Sequence, residues 1–305
     1  MDRALNQTYK VVTLLSALVI IAVIVGIFAT LLYQSFPAIK AFGIFDFIFG
    51  TEWNPSTEVY NGGRPLLGTI ITTILALSIA IPIAIGIAIF ITELCPAILR
   101  QPVGTAIELL AAIPSIIYGM WGLFVFAPIL ERTIQPAIAF IFGSLPVIGS
   151  FFQVSYGGGA NIFTTAMVLA VMVIPFIASI TRDTFMQVPA VLKESAYGIG
   201  ATKWEVIKDV VIPYSKAGTA GGIIIATGRA LGETMAVAYV IDNRHGALES
   251  IFSPFTTITS VLANEFNEAS GIHLSSLFFL ALILFVANLL ILSAAKYMLR
   301  GSIAK

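Results

Sequence analysis

Charge is what this sequence has least of. Asp, Glu, Lys and Arg make up 10% of its 305 residues, against 58% hydrophobic residues and a mean hydropathy of +0.98. A water-soluble domain carries about a quarter charged residues. The apolar surface left over must face something other than water, and a lipid bilayer suits it. Acidic and basic residues balance at 16 each, which removes the bulk attraction on which nucleic-acid binding depends. The single cysteine, Cys95, excludes an internal disulfide framework. His245 and His273 are the only histidines, and two so far apart in sequence make no metal-ligand pattern. The Walker A pattern G-x-x-x-x-G-K-[ST] is absent. No repeat of 20–50 residues and no nucleophile–base constellation is visible, and no cofactor is expected.

What the chain does have is long apolar runs. A bilayer core of about 30 Å takes about 20 apolar residues in a helix. Six stretches reach that length, at roughly 11–36, 67–94, 103–130, 161–181, 218–242 and 273–297. The first outruns the apolar core of a signal peptide, about 7–15 residues. It reads as a retained anchor, with a cleaved leader as the alternative. The expected fold is all-α and polytopic, with six transmembrane helices. Residues 1–66 form the anchor helix and first outer segment; residues 67–305 form a transmembrane core with a charged loop at about 182–217.

Lys and Arg near span ends set orientation. With the N-terminus inside, eleven basic residues fall in inner segments and four in outer ones, and Arg229 lies within a span. Both termini, and the charged loop, are therefore expected in the cytoplasm. Pro82, Pro114 and Pro175 each sit inside a span. Proline removes a backbone donor and bends a helix unless neighbours satisfy the freed carbonyl, although it is also common in membrane helices. The run YGGGAN at 156–161 reads as a flexible lead into the fourth span.

The charged loop holds KESAYGIGATKWEVIKDVVIPYSKAG, with four lysines, two glutamates and an aspartate between Lys193 and Gly218. It reads as two short helices. Pro189 suits a first turn, and Gly198 and Gly200 supply a stop. Thr202 and Glu205 have capping-box spacing for a second helix. Trp204, Ile207 and Val211 share one side of that helix, Glu205 and Asp209 another, and Pro213 is expected to end it. GIGATK lacks the third glycine of a dinucleotide loop and follows no strand. Such a helix–turn–helix is either a shape that another protein grips or a solvated loop carrying the positive-inside signal.

Glu194-Ser195-Ala196, three residues, Gly200, nine residues and Val210-Val211-Ile212-Pro213 resembles the E-A-A…G…I-x-L-P motif of permease subunits of ABC importers, with Ser for Ala and aliphatic exchanges. That resemblance implies a type I importer permease fold. It also implies that the first short helix docks into a groove on a separate ATPase, and that Glu194, Ser195, Ala196 and Gly200 transmit ATP-driven motion. With no Walker A pattern in the chain, a partner must hydrolyse the ATP, and this chain is not expected to be an enzyme.

The fifth span carries two ionisable residues. Arg229 lies eleven residues past Gly218, about 16 Å along a helix at 1.5 Å per residue. An arginine at that depth costs at least about 2.5 kcal/mol, so it faces protein or water rather than lipid. Glu233 follows at i+4, the spacing of a helical ion pair. Gly218, Gly222, Ala226, Ala230 and Thr234 form a small-residue row suited to close helix packing. Either the two charges are a structural pair, or Arg229 faces a pathway and offers paired N–H donors to an oxyanion while Glu233 poises it.

GRALGETMAVAYV (228–240), with GTAIELLAAIPSIIYGMWGLFVFAP (104–128) and RPLLGTIITTILALSIAIPIAIGIAIFITE (64–93), resembles the PstC-type permeases of bacterial phosphate importers. The resemblance implies that Arg229 and Glu233 serve passage of inorganic phosphate. It implies as partners a PstA-type permease, a PstB-type ATPase dimer and an external PstS-type phosphate-binding protein, assembled in a bacterial inner membrane. Asp242-Asn243 departs from the Gly-Asn expected there. Glu108 is expected to stabilise the start of the third helix, and Glu93 to do the same at an interface. Tyr118, Trp121 and Tyr239 are either pore-lining or packing. Arg229 asks only for an anion, so an importer of sulfate or molybdate is the first alternative. An ATP-independent carrier or scaffold is the second.

Overall fold

Backbone polar groups in hydrocarbon must be satisfied within their own segment, and the apolar runs are helical apart from breaks in the third and fifth. The computed structural model describes residues 2–146, 149–154 and 159–303. Helix α1 (Asp2–Phe42) is followed by a short α2 (Ile44–Phe49) and a two-residue hairpin, β1 (Trp53–Asn54) antiparallel to β2 (Val59–Tyr60). The second span is α3 (Gly63–Ile89), continued by a π-helical segment, Phe90–Leu94. The third is divided into α4 (Ala97–Ala111) and α5 (Ser115–Trp121), the latter running through a π-helical Gly122–Phe126 into α6 (Ala127–Arg132). After α7 (Ile134–Phe142), α8 (Ile162–Met186) makes the fourth span. The charged loop forms α9 (Ala190–Gly198) and α10 (Lys203–Glu205). A π-helical Val206–Val211 leads from α10 into α11 (Ile212–Leu231), and α12 (Met235–Val240) follows. Helices α13 (Ile258–Glu265) and α14 (Gly271–Ile303) complete the chain.

Five helices are long and apolar enough to cross a membrane, or six when the divided third span counts as one. The centre is α8, whose most apolar stretch is 72% buried. It packs against α3, α11 and α4. On α3, Ala76, Ala80 and Ala84 fall at i+4 steps, are fully buried, and join the cluster that holds Val173, Ile177 and Ala226. Small residues at that spacing bring two helices close where lipid supplies no hydrophobic drive. By contrast α1 is exposed along residues 6–30 and touches the remainder chiefly through α14.

Of the three span prolines, only Pro114 stands at a break. Helices α3 and α8 run on through Pro82 and Pro175. At Ile113-Pro114 the third span turns by 85°, because the residue before a proline is pushed out of the helical region. Pro213 does not end its helix as expected. Lys203–Leu231 runs as one helix, and Pro213 falls at its α11 start just past the π-helical turn. The break comes later, at Gly232–Thr234, so the fifth span is not one rod to residue 242. Of the glycine run at 156–161, residues 156–158 lie outside the described residues.

Candidate functional site

Two broken spans meet beside Arg229. This residue lies in the last turn of α11 and is exposed on the single chain. The negative end of a helix dipole favours a cation there. Its Cζ lies 5.6 Å from the ring centroid of Phe176 on α8, within cation–π range. Past the break, α12 packs against α5, the second half of the third span. The approach is at backbone distance: a Cβ on Gly119 would lie 2.9 Å from Ala236 Cα. Tyr118, one residue earlier and 8% exposed, lies in the electrostatic field of Arg229.

The Arg229–Glu233 pair that i+4 spacing would allow is not formed. Among the described residues Arg229 forms no ion pair, and Glu233 Oε1 instead accepts from Ala236 N at 3.4 Å, at the start of α12. The i,i+4 geometry needs a continuous helix, and Gly232–Thr234 interrupts it. Thr234 likewise drops out of the small-residue row. The rest of the row packs as expected: Ala226 and Ala230 are buried, and Cβ atoms on Gly218 and Gly222 would collide with Thr184 and Ile180 of α8.

The coupling-motif residues sit together on and after α9. Glu194 and Ser195 are exposed, Ala196 is half-buried, and α9 buries none of its residues. The helix ends in a Schellman motif: Ala201 N donates to Ala196 O and Gly200 N to Tyr197 O, with Gly200 at φ +91°. Gly198 is still helical, so Gly200 alone supplies the left-handed stop. The Thr202–Glu205 capping box forms as expected, the Glu205 carboxylate accepting from Thr202 N at 2.7 Å. These hydrogen bonds from Thr202 hold the Glu205 carboxyl below its ordinary range. Ile207 and Val211 are buried, whereas Trp204 is 62% exposed and does not share their face. The π-helical turn that follows Glu205 shifts the face that the 3.6-residue period assigns.

Two carboxylates have roles that sequence reasoning missed. Glu108 lies near the end of α4, not at a helix start, and pairs with Arg182 at 2.7 Å. Arg182 also pairs with Asp183 at 2.6 Å, and all three line a cavity of about 450 Å³ with Arg100, Gln101 and Thr105. Glu93 pairs with Lys193 of α9. On the opposite side of the chain, His245 and His273 converge after all. Their Nε2 atoms lie 3.1 and 2.9 Å from the two oxygens of Glu265, and Trp53 Nε1 donates to the same carboxylate at 3.0 Å. No spacing in the sequence announces this cluster, since hairpin, loop and helix bring it together. Among the described residues no group of His, Cys, Asp and Glu could hold a metal ion.

A family model described as binding-protein-dependent transport system inner membrane component matches residues 80–302. The "Phosphate transport system permease protein PstC" of Mesorhizobium japonicum is 52% identical over 296 residues, covering 96% of this chain and 90% of the relative. The protein of the same name from Pasteurella multocida is 50% identical over 291 residues, covering 95% and 90%. A chain in the crystal structure of a bacterial ABC transporter involved in import of the acidic polysaccharide alginate superposes with a TM-score of 0.58 at 18% identity. It covers 97% of this chain and 98% of its own length, a likeness of fold. The family match and near-complete coverage at this identity agree: the chain belongs to the family of binding-protein-dependent transport system inner membrane components, and within it to the PstC group.

Proposed function

We propose that this chain is the permease subunit of an ATP-driven importer of inorganic phosphate and forms half of its pathway. The carrying observation is Arg229: a guanidinium within a span, in no ion pair among the described residues and exposed where two broken helices meet. Hydrocarbon does not tolerate such a group. An aqueous route shared with a second subunit does, and there its forked N–H donors match a phosphate oxyanion. The relatives' names supply the substrate.

In this reading a PstA-type permease covers the exposed face around Arg229, and a PstS-type binding protein delivers phosphate from outside. A PstB-type ATPase dimer receives α9, with Glu194, Ser195, Ala196 and Gly200 at the contact. Glu233 serves the pathway from the break rather than as the partner of Arg229: it fixes the start of α12 through Ala236. Both termini lie in the cytoplasm of a bacterial inner membrane, residues 1–66 being an anchor and first outer segment beside the 67–305 core. The site needs no cofactor of its own, because the nucleotide chemistry belongs to the partner.

Uptake of radiolabelled phosphate by cells carrying the whole importer tests this. Arg229→Gln is expected to abolish uptake while the ATPase still co-purifies. Retained uptake in that variant, or competition by sulfate rather than phosphate in the wild type, would overturn the reading.

A further inference from the structure

Helix α9 is held to the body of the chain by few side chains. It buries none of its residues, and only Lys193 and Ala196 of residues 190–198 are half-buried. Lys193 reaches across to Glu93, a hundred positions earlier, and their charged atoms meet. The side chain of Glu93 is 7% exposed and that of Lys193 21%. Removing one partner of an ion pair so enclosed is costly. The Glu108–Arg182 pair differs, with its carboxylate 55% exposed.

Glu93 lies in the π-helical Phe90–Leu94 that ends the second span. The other attachment of α9 is the π-helical Val206–Val211 that leads into α11. Short π-helical turns occur frequently at functional sites, and here both flank the same small helix. Beneath them Ala88 of α3, Phe185 and Val188, and Val211 pack as one cluster. Displacement of α9 therefore has two ways into the spans. One runs along the chain through Val206–Val211 to α11 and Arg229. The other runs through Lys193 and Glu93 to α3, whose alanine row lies along α8, the helix that places Phe176 beside Arg229.

We propose that the Lys193–Glu93 ion pair is a strut that carries displacement of α9 into α3, so that both walls beside Arg229 move together. Glu93 and Lys193 are thus positioning residues. The proposal rests on the reading of α9 as the ATPase-docking helix.

The test uses the complete importer in proteoliposomes and measures phosphate taken up per ATP hydrolysed, a ratio that loss of folded protein alone does not change. Glu93→Lys and Lys193→Glu are each expected to lose most of that ratio. The double charge swap is expected to recover most of it. Singles at the wild-type ratio, or a double no better than either single, overturn the strut. If charge reversal prevents assembly, Glu93→Gln, Lys193→Met and their double replace the set, and losses that simply add overturn it equally. Glu194→Ala separates the two readings. Impaired coupling there beside normal Glu93 and Lys193 variants removes only the strut, whereas full coupling in Glu194→Ala removes the docking reading and the strut with it.

Discussion

The hydroxyl of Tyr118 donates to the carbonyl of Leu110 at 2.9 Å, across the break that divides the third span. Leu110 is in the last turn of α4, and its carbonyl also accepts from Ile113 N at 3.3 Å. Tyr118→Phe removes this second donor while Ile113 N remains, at a cost of about 0.5–1.5 kcal/mol. Thermal melting of the purified complex is expected to fall accordingly, and Tyr118→Phe melting with the wild type would show that the bend holds itself.

How much of this was legible beforehand depended on the range of the interaction. Local chemistry read well. The spans followed from apolar length, the Thr202–Glu205 cap from four residues, and the packing face of α11 from a row of small residues. The breaks read poorly. Pro82, Pro114 and Pro175 look alike in sequence, and packing decides that only Pro114 divides a helix. Gly232 gave no warning that Arg229 and Glu233 would part. The partners of Glu93, Glu108 and Glu265 lie 8 to 212 residues away, beyond any helical period.

Gly200 separates backbone from bulk. Its φ of +91° strains any L-residue, yet none of the described residues comes within 4 Å of a Cβ built there. Gly200→Ala is expected to cost about 1–2 kcal/mol through conformation alone, and Gly200→Asn less, because Asn tolerates the left-handed region. Any further loss of coupling in Gly200→Trp must come from a partner's surface. Comparing ATP hydrolysed per phosphate transported across the three variants checks this. Equal coupling in Gly200→Ala and Gly200→Trp would mean that no protein closes on this turn.

Glu265 gives the chain a pH-dependent clamp on its hairpin side. Burial pushes its carboxyl up, but hydrogen bonds from His245, His273 and Trp53 outweigh that and hold it below its ordinary value of 4.5. A depressed carboxyl contributes stability that is fully present above the unfolded value and is lost as pH falls through the folded one. Melting temperature is therefore expected to fall more steeply below pH 4.5 in the wild type than in Glu265→Gln. Parallel curves for the two proteins would remove Glu265 from the acid response.

Three glycines on α11 let contact be set against propensity within one helix. A Cβ on Gly222 would lie 2.7 Å from Ile180 Cγ2, and one on Gly218 would lie 2.4 Å from Thr184 Cγ2. Both neighbours are β-branched side chains on α8, stiff at χ1 and slow to give way. Gly221, facing away, has nothing within 4 Å. Gly222→Ala and Gly218→Ala are expected to destabilise by about 1–3 kcal/mol, the usual range for overpacking. Gly221→Ala should be neutral or stabilise by up to about 1 kcal/mol through helix propensity. Melting of the isolated subunit in detergent reads all three, and equal effects at the three positions would show that α8 and α11 do not pack at backbone distance. Repeating the measurement on the full complex adds a second reading. If Gly221→Ala is harmless alone but harmful there, the face of α11 that this chain leaves open is where the other permease sits.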